Sequence, residues 1–426
     1  MRETESETPF SQVVITGIGL VTPHGENRET SWSGLLSGKK TTRRIWELEQ
    51  QLRDSEGRFA KVIGAPAKVD WNAADENTGE PVIDLAVQAA EEAIFDAQLT
   101  VPFENAERVA CVIGTSKGGL ETFHRMASDP DFASAVSRPN SSANFRWLKF
   151  PPSAASSTIA GRYGIHGPCL CPVAACATGL VCLQRGYEFI KDGYCDVAIV
   201  GSSDASLRPE ILASFRRLGV LARCQSDRDP GTVCRPFDRN RNGFAIGEGA
   251  GVLVMERKSH AERRGARMYA EWLAGGCLSD GFDLTRLAES PESCVRLIQD
   301  VLERGNVSAG EIDYCNLHGT ATVTNDVYET RAVREAFGND ADSICFSSLK
   351  GGIGHLLGAA GSVEMAATIL AMRDSVVPPT VNLDTPDPQC DLNYTPHECR
   401  SRRIETAMKL SLGFGGHLAA AIVRAV

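Results

Sequence analysis

A strand-like run changes into a helical pattern within the stretch Val173-Ala174-Ala175-Cys176-Ala177-Thr178-Gly179. The strand-like run covers residues 169–175. The helical pattern runs from about 177 to 190 and stops at Lys191-Asp192-Gly193; its apolar residues are Leu180, Leu183, Tyr187 and Ile190. A strand that leads directly into a helix is typical of α/β proteins, in which helices cover a sheet.

The same alternation continues in both directions along the chain. We predict strands near 13–17, 108–114, 196–201, 252–255, 313–317, 343–347 and 409–413. We predict helices near 83–99, 291–304, 326–337 and 361–373. A charged segment, 256–267, separates the two series and suggests two parts, residues 1–267 and 268–426.

The two parts are weakly similar to each other, which suggests an internal duplication. The similar pairs of segments are 113–115 and 318–320, 175–179 and 358–361, and 197–201 and 410–413.

The composition excludes several classes of protein. The chain has 426 residues and a net charge of −10, which argues against a nucleic-acid surface, because phosphates are bound by lysine and arginine. No apolar run has the length of a membrane span. The first eight residues are polar and acidic, unlike a secretory signal, and we therefore expect a cytoplasmic protein.

The fourteen cysteines do not have the spacing of a metal site. No Cys-x-x-Cys pair is present, so a zinc site is not expected. Most cysteines of a large cytosolic chain are small buried apolar residues. We predict this for Cys111, Cys182, Cys195, Cys277 and Cys315.

Cys176 is the candidate nucleophile. It lies at the predicted start of a helix, where unpaired N–H groups and the positive end of the helix dipole favour a thiolate. The small residues on either side of it leave room for a substrate against the backbone.

Two histidines and one lysine have similar surroundings of small residues. His318 follows a predicted strand, where α/β sheets bind their ligands, and His355 precedes a predicted helix, which favours the neutral imidazole. Two neutral imidazoles can donate hydrogen bonds to a developing enolate oxygen. Lys350 could pair with Asp326 or Glu329. Five other histidines are predicted to be satisfied in the core or solvated: His24, His124, His166, His260 and His397.

These motifs resemble those of the 3-oxoacyl-[acyl-carrier-protein] synthases of the type II class, condensing enzymes with a thiolase-like fold. The resemblance covers essentially the whole chain. Beyond the site motifs it includes the segments Val13–Gly19, Arg235–Asp238, Gly243–Phe244, Gly247–Gly251, Val377–Leu383 and Gly413–Gly416. It implies an α/β protein of two duplicated βαβαβαββ halves in a five-layered αβαβα architecture.

The resemblance also implies an activity, the decarboxylative Claisen condensation of malonyl-[acyl-carrier-protein] with an acyl group on Cys176 in fatty-acid elongation. His318 and His355 would bind the malonyl thioester carbonyl. The N–H groups of Cys176 and Phe414 would form the second oxyanion hole, with Phe414 as an aromatic gate. Lys350 and Glu329 would form a supporting ion pair, with Asp326 beside them.

The expected partners are acyl- and malonyl-loaded carrier proteins and a second copy of the chain or a homologous subunit. The resemblance implies no organic cofactor and no catalytic metal.

The chain departs from the family pattern at four places. Ala175 and Ala177 flank the nucleophile where threonine or serine is common, and Gly415-Gly416-His417-Leu418 replaces a Thr-Asn loop. Lys117 stands where an apolar residue tends to line the acyl pocket, which suggests a shorter, wetter or more polar pocket. The segment 72–81 is acidic where a basic carrier-binding patch is often found. Possible basic substitutes are Arg138, Arg146, Lys149, Arg216 and Arg217.

The sequence leaves four other functions to compare with this one. The same chemistry could serve a specialised lipid, polyene or polyketide pathway. A non-catalytic chain-length-factor subunit would lack the nucleophile. A degradative thiolase needs a second cysteine near the C-terminal glycine loop, which 413–418 lacks. A cysteine hydrolase would not need two histidines and a lysine.

Overall fold

The computed structural model describes residues 12–52, 61–69, 78–128, 147–224 and 228–426. The strands in these ranges are β1 (Val13–Val21), β2 (Arg43–Arg44), β3 (Ile63–Ala65), β4 (Val109–Gly114), β5 (Cys169–Leu170), β6 (Val197–Asp204), β7 (Ile246–Gly247), β8 (Gly249–Arg257), β9 (Ala270–Ser279), β10 (Tyr314–Asn316), β11 (Cys345–Ser347), β12 (Val376–Val377), β13 (Arg400–Ser401), β14 (Thr406–Gly413) and β15 (His417–Ala425).

The α-helices in the same ranges are α1 (Arg28–Leu36), α2 (Trp46–Glu49), α3 (Pro81–Asp96), α4 (Leu120–Ser128), α5 (Ala154–Tyr163), α6 (Thr178–Lys191), α7 (Pro209–Arg217), α8 (Lys258–Arg263), α9 (Glu292–Gly305), α10 (Val323–Phe337), α11 (Lys350–Ile353) and α12 (Ala360–Asp374). No helix in the described ranges is long and apolar enough to cross a membrane.

The main sheet is built twice from the same plan. Its strand order is β11-β10-β14-β15-β9-β1-β8-β6-β4-β5. In the first half β4 is parallel to β5 and β6, while β8 is antiparallel to β6 and β1. In the second half β10 is parallel to β11 and β14, while β15 is antiparallel to β14 and β9. The equivalent strands β1 and β9 join the halves, which confirms the predicted duplication.

Three apolar clusters lie between the helices and the strands and hold them together as layers. Helices α3 and α5 cover one face of the first half, and α9 and α10 cover one face of the second. Helices α6 and α12 pack against each other and against strands of both halves. The five expected layers are therefore the outer helices of the first half, its strands, the central helices, the strands of the second half and the outer helices of the second half. Because both faces of each half are covered, a strand such as β1 is buried along its whole length.

Most predicted elements are present, and two details were wrong. The strand expected over 169–175 is limited to Cys169–Leu170, because residues 171–174 are irregular and lead into the turn before α6. Four of the five cysteines predicted to be buried are buried, but Cys277 is exposed, because the C-terminal end of β9 emerges from the core.

Candidate active site

The turn that carries Cys176 lies between β5 and α6. Residues Ala175–Ala177 form one 3-10 turn, and α6 begins directly after it at Thr178. Ala175 has a left-handed φ of 47°, so the chain turns sharply just before the nucleophile. The Thr178 hydroxyl accepts a hydrogen bond from Ala174 N (2.8 Å) and donates one to Ala175 O (2.8 Å). These bonds fix the thiol at the start of the helix, as predicted.

The charge state predicted for Cys176 was wrong. Burial raises the pKa of its thiol to about 11. The ammonium groups of Lys117 and Lys350 and the backbone N–H of Phe414 lower this pKa, but burial outweighs them. The side chain is 7% exposed, so loss of hydration decides the outcome.

His318 lies at the carboxyl end of β10 in a turn whose backbone is held on every side. Its N–H and that of Gly319 donate to the Glu329 carboxylate (2.5 and 2.8 Å). Lys350 Nζ donates to His318 O (2.5 Å), and the Ser348 hydroxyl donates to Gly319 O (2.7 Å). His318 Nδ1 is buried without a partner among the described residues.

His355 lies between α11 and α12 and is held by backbone pairing with β7. Its N–H donates to Ala245 O (2.7 Å), and its carbonyl accepts from Gly247 N (2.9 Å). His355 Nδ1 accepts from Leu357 N (3.2 Å). A neutral imidazole that accepts at Nδ1 carries its hydrogen on Nε2, so His355 presents an Nε2–H donor.

The two imidazoles are close together and neutral. Their ring centroids are 5.3 Å apart, with an angle of 81° between the planes. Burial lowers the pKa of each ring well below its usual value, and the nearby Lys350 ammonium lowers it further. The neutral state agrees with the prediction from sequence.

The apolar cluster around Cys176 lies against the turns that carry both histidines. Leu357, Phe244 and Ala321 belong to the same cluster as Cys176. The Phe244 ring packs edge-on against His355, with 4.9 Å between centroids, and Ala321 closes the turn that begins at His318. The 3-10 turns 175–177 and 357–359 also pack together. The chain therefore brings the thiol and both imidazole turns to one place.

The predicted partners of Lys350 were wrong. Its ammonium pairs with Glu364 (2.5 Å), just over one turn into α12, and with neither Asp326 nor Glu329. Glu364 also pairs with a second buried ammonium, Lys409 of β14 (2.8 Å). Both lysine side chains and Glu364 are buried, so one carboxylate is shared by two cations.

Glu329 and Asp326 support the site in a different way, by holding backbone groups. Glu329 accepts the N–H groups of the His318 turn, and Asp326 accepts from Phe237 N (2.8 Å) and lies 3.5 Å from Arg241. Burial raises the pKa of both carboxyls, that of Glu329 to about 7.

Glu364, Lys409 and Asp204 were missed in the sequence. Each is a charged residue inside an otherwise apolar or small-residue helix or strand, and that isolation was the available signal.

Phe414 directly follows β14 and contacts the nucleophile through its backbone. Its N–H donates to the Cys176 thiol, and its ring stacks on Phe215, with 6.1 Å between centroids. Gly415 and Gly416 have φ angles of 82° and 75° and form the tight turn to β15, which begins at His417. The unusual loop is therefore a short hairpin connection.

The suggested carrier-binding residues are only partly described. Arg216 and Arg217 are exposed at the end of α7, whereas Lys149 donates to Thr78 O. Arg138, Arg146 and residues 72–77 of the acidic segment lie outside the described residues.

Four of the five histidines predicted to be satisfied or solvated follow the prediction. His124 and His260 contact carboxylates, and His166 and His397 are exposed. His24 is buried with both ring nitrogens unpaired among the described residues, and burial lowers its pKa to about 4.

The site combines a buried thiol at a helix start with two neutral imidazoles and a buried ammonium. These are the groups that a carbon–carbon bond-forming thioester enzyme needs. Family models match both halves of the chain: "Beta-ketoacyl synthase, N-terminal domain" over residues 10–261 and "Beta-ketoacyl synthase, C-terminal domain" over residues 269–384. The chain belongs to the beta-ketoacyl synthase family. It is an acyltransferase-type condensing enzyme with a thiolase-like fold.

Similar proteins come from two kinds of pathway. The chain is 36% identical over 420 residues to a putative polyketide beta-ketoacyl synthase 1 of Streptomyces halstedii, covering 97% of each chain. It is 34% identical over 407 residues to 3-oxoacyl-[acyl-carrier-protein] synthase 2 of Synechocystis, covering 95% of this chain and 96% of that one.

Two solved structures are similar over nearly the whole chain. A beta-ketoacyl synthase from Burkholderia phymatum has a TM-score of 0.86 at 30% identity, over 98% of this chain and 100% of that one. A type II polyketide synthase acyl-carrier protein in complex with its ketosynthase bound to the hexaketide contains a chain with the same TM-score and coverage, at 29% identity.

Proposed function

We propose that the chain condenses an acyl group on Cys176 with the malonyl group of a malonyl-loaded carrier protein, releasing CO2 and a 3-oxoacyl-carrier protein. The observation that carries this proposal is the convergence of the Cys176 turn and the two imidazole turns on one buried cluster. Each catalytic role below is assigned on that geometry.

The first half-reaction loads the enzyme. Cys176 sulfur attacks the thioester carbonyl of the acyl-carrier protein, and the carrier thiolate leaves and takes up the proton of the cysteine thiol. The backbone N–H of Phe414, which donates to the Cys176 thiol, and that of Cys176 itself would stabilise the negative oxygen of the tetrahedral intermediate.

The second half-reaction forms the carbon–carbon bond. The imidazole N–H groups of His318 and His355 would bind the thioester carbonyl of the malonyl group. When CO2 leaves, the electrons of the broken carbon–carbon bond remain on the thioester as an enolate, whose negative charge lies on that oxygen. The enolate carbon then attacks the acyl-enzyme carbonyl, and the Cys176 thiolate leaves and is reprotonated.

Neutral histidines suit this step better than charged ones. An imidazolium would donate more strongly, but it would also hold the malonyl carboxylate that has to leave as CO2. Burial and the Lys350 ammonium keep both rings neutral. Glu364, which also pairs with Lys409, would hold Lys350 in place behind His318.

The pathway is proposed to be fatty-acid elongation, with a polyketide or other specialised lipid pathway as the second candidate. Lys117 in the acyl pocket favours the second candidate, because an ammonium suits a polar chain better than a saturated one. We also propose two halves, residues 1–267 and 268–426, and a dimer with a second copy or a homologous subunit.

We propose carrier proteins as the partners and the cytoplasm as the location. No disulfide joins the cysteines of the described residues, which suits a reducing compartment.

Acyl transfer can be tested separately from condensation. Cys176→Ala should abolish condensation completely while malonyl decarboxylation persists, since the variant keeps both imidazoles. Cys399→Ala, at an exposed cysteine, is the matched control and should behave as wild type. The measurement is intact-protein mass spectrometry with acyl- and malonyl-loaded carriers; acyl-chain extension by Cys176→Ala would disprove the assignment.

The histidines need their own test. His318→Ala and His355→Ala should each slow malonyl decarboxylation by about 100-fold or more, because each removes one donor to the enolate oxygen. His166→Ala, at an exposed histidine, is the control. Full decarboxylation in both site variants would remove their proposed role. A wild-type chain that takes no acyl group from any donor would instead indicate a non-catalytic subunit.

A further inference from the structure

Lys117 places an ammonium group inside the site. It follows β4, and its Nζ donates to the hydroxyls of Ser116 (2.6 Å) and Ser206 (3.1 Å). Its side chain is 22% exposed, so the group is largely withdrawn from solvent. Two of its three N–H groups are therefore used by neutral hydroxyls, and one remains for a ligand.

A carboxylate balances the charge of Lys117 without occupying its remaining donor. Asp204 lies at the end of β6, with its nearer oxygen 4.0 Å from Lys117 Nζ. It accepts hydrogen bonds from the Ser116 and Ser206 hydroxyls and from Gly358 N (3.1 Å). Lys117 and Asp204 therefore form a neutral pair in which the carboxylate is satisfied by other donors.

Two series of contacts connect this pair to the nucleophile. Lys117 Nζ lies 5.6 Å from the centroid of the Phe215 ring, and Phe215 stacks on Phe414, whose N–H donates to the Cys176 thiol. On the other side, Asp204 holds Gly358, which follows Leu357 in the Cys176 cluster. The ammonium therefore contacts the aromatic pair beside Cys176, and we place an acyl chain on Cys176 next to it.

The charge balance selects among ligands. A saturated chain would exclude water from the remaining N–H of Lys117 and offer no acceptor in its place, which is unfavourable. A carboxylate would give the neutral pair a net negative charge in a buried site. A ketone or hydroxyl oxygen accepts the N–H and adds no charge, so it fits best.

We propose that Lys117 donates a hydrogen bond to a ketone or hydroxyl oxygen of the acyl chain on Cys176, so that the enzyme prefers oxygenated acyl chains to saturated chains of equal length. This inference rests on the proposed function, because it requires acyl transfer to Cys176.

The test compares three synthetic thioesters of equal length: hexanoyl-, 3-oxohexanoyl- and 5-oxohexanoyl-pantetheine. Each acylates Cys176 by exchange of thioesters, and pantetheine leaves with the thiol proton. Intact-protein mass spectrometry follows the rate. Wild type should prefer at least one oxo thioester by about tenfold, the effect of one buried hydrogen bond, and Lys117→Met should lose that preference while its rate with hexanoyl-pantetheine stays or rises.

Three further variants make the result specific. Lys117→Arg keeps a charged donor and should retain part of the preference, and Lys61→Met, at an exposed lysine, should retain all of it. Lys117→Met combined with Asp204→Asn removes both charges together, so it remains informative if the single variant does not fold. An unchanged oxo-to-alkyl rate ratio in the Lys117 variants would overturn the inference. Wild type that accepts no acyl group, even from loaded carriers, would instead overturn the proposed function and this inference with it.

Discussion

Burial keeps Cys176 a protonated thiol at neutral pH, and its reactivity should depend on pH accordingly. Because burial raises its pKa to about 11, roughly one molecule in ten thousand carries the thiolate at pH 7. We expect the rate of alkylation of Cys176 by iodoacetamide to rise about tenfold per pH unit from pH 6 to 9.5, without levelling off.

The exposed Cys399 provides an internal comparison in the same sample. Peptide mapping by mass spectrometry should show it labelled well before Cys176 at neutral pH. A rate for Cys176 that reaches a plateau below pH 8 would mean that the helix start and the ammonium groups outweigh burial.

The shared carboxylate of Glu364 gives a second prediction at this scale. Glu364→Gln leaves Lys350 and Lys409 as neighbouring buried cations, and we expect it to lower the free energy of unfolding by about 3–5 kcal/mol. In a Lys409→Met background the same change leaves only one cation, so the loss should be smaller. Urea denaturation of the four proteins measures the coupling; strictly additive losses would show that the two ammonium groups act independently.

The reactive residues could be predicted from the sequence, but their ionic partners could not. Cys176, His318 and His355 each lie beside small residues at the end of a strand or the start of a helix, and this local pattern marks a site. The pairing of Lys350 with Glu364 depends on how α12 packs beneath the histidine turn. Sequence spacing gives no measure of that packing, so acids farther along the chain, such as Glu329, were equally reasonable choices.

At the scale of elements, Glu256 connects β8 to β1 and to the segment after α8. It is fully buried and accepts hydrogen bonds from Thr16 Oγ1 (2.5 Å), His260 Nδ1 (2.6 Å) and Arg264 Nε (2.9 Å). Burial alone would raise its pKa, but these donors outweigh burial and lower it from 4.5 to about 2. The ionised carboxylate therefore stabilises the fold.

This stabilisation has a defined pH dependence. A lowered folded-state pKa contributes stability that is complete above pH 4.5 and is lost as the pH falls through 2, about 3 kcal/mol in all. Glu256→Gln should therefore destabilise the protein more at pH 7 than at pH 3, as measured by urea denaturation. Glu262→Gln, on exposed α8, is the control. An equal loss at both pH values would contradict the role assigned to the charge.

Elements with a clear pattern were predictable, and alanine-rich ones were not. Regular apolar spacing located α3, α9 and α10, and β-branched runs located β4 and β6. Strand β15 contains three consecutive alanines, and α5 is rich in alanine and serine, so neither has a distinct apolar face. Their structure is decided by the neighbouring strands and helices.

At the scale of the molecule, two glycines allow the central helices to touch. A Cβ added to Gly179 of α6 would lie 2.4 Å from Ser362 N, and one added to Gly361 of α12 would lie 2.5 Å from Leu180 N. The backbones of α6 and α12 therefore meet directly. Each helix begins at a site turn, so their separation also sets the distance between Cys176 and His355.

Gly361→Ala should destabilise the protein by about 3 kcal/mol or more, because neither backbone can move without disturbing a sheet. Gly161→Ala in α5 is the matched control: nothing lies within 4 Å of the added carbon, and the helix should gain about 0.5–1 kcal/mol. Thermal and urea denaturation measure both. A Gly361→Ala protein as stable as wild type would contradict the close crossing.

The duplication has a consequence for covalent inhibitors. The turn before α6 carries Cys176, whereas the equivalent turn before α12 carries Gly358. The two halves therefore contribute different residues to one site. An electrophile attached to the sulfur and long enough to reach the imidazoles would contact both halves and stabilise their packing against each other. The modified chain should then lose its structure in one cooperative step at a raised temperature.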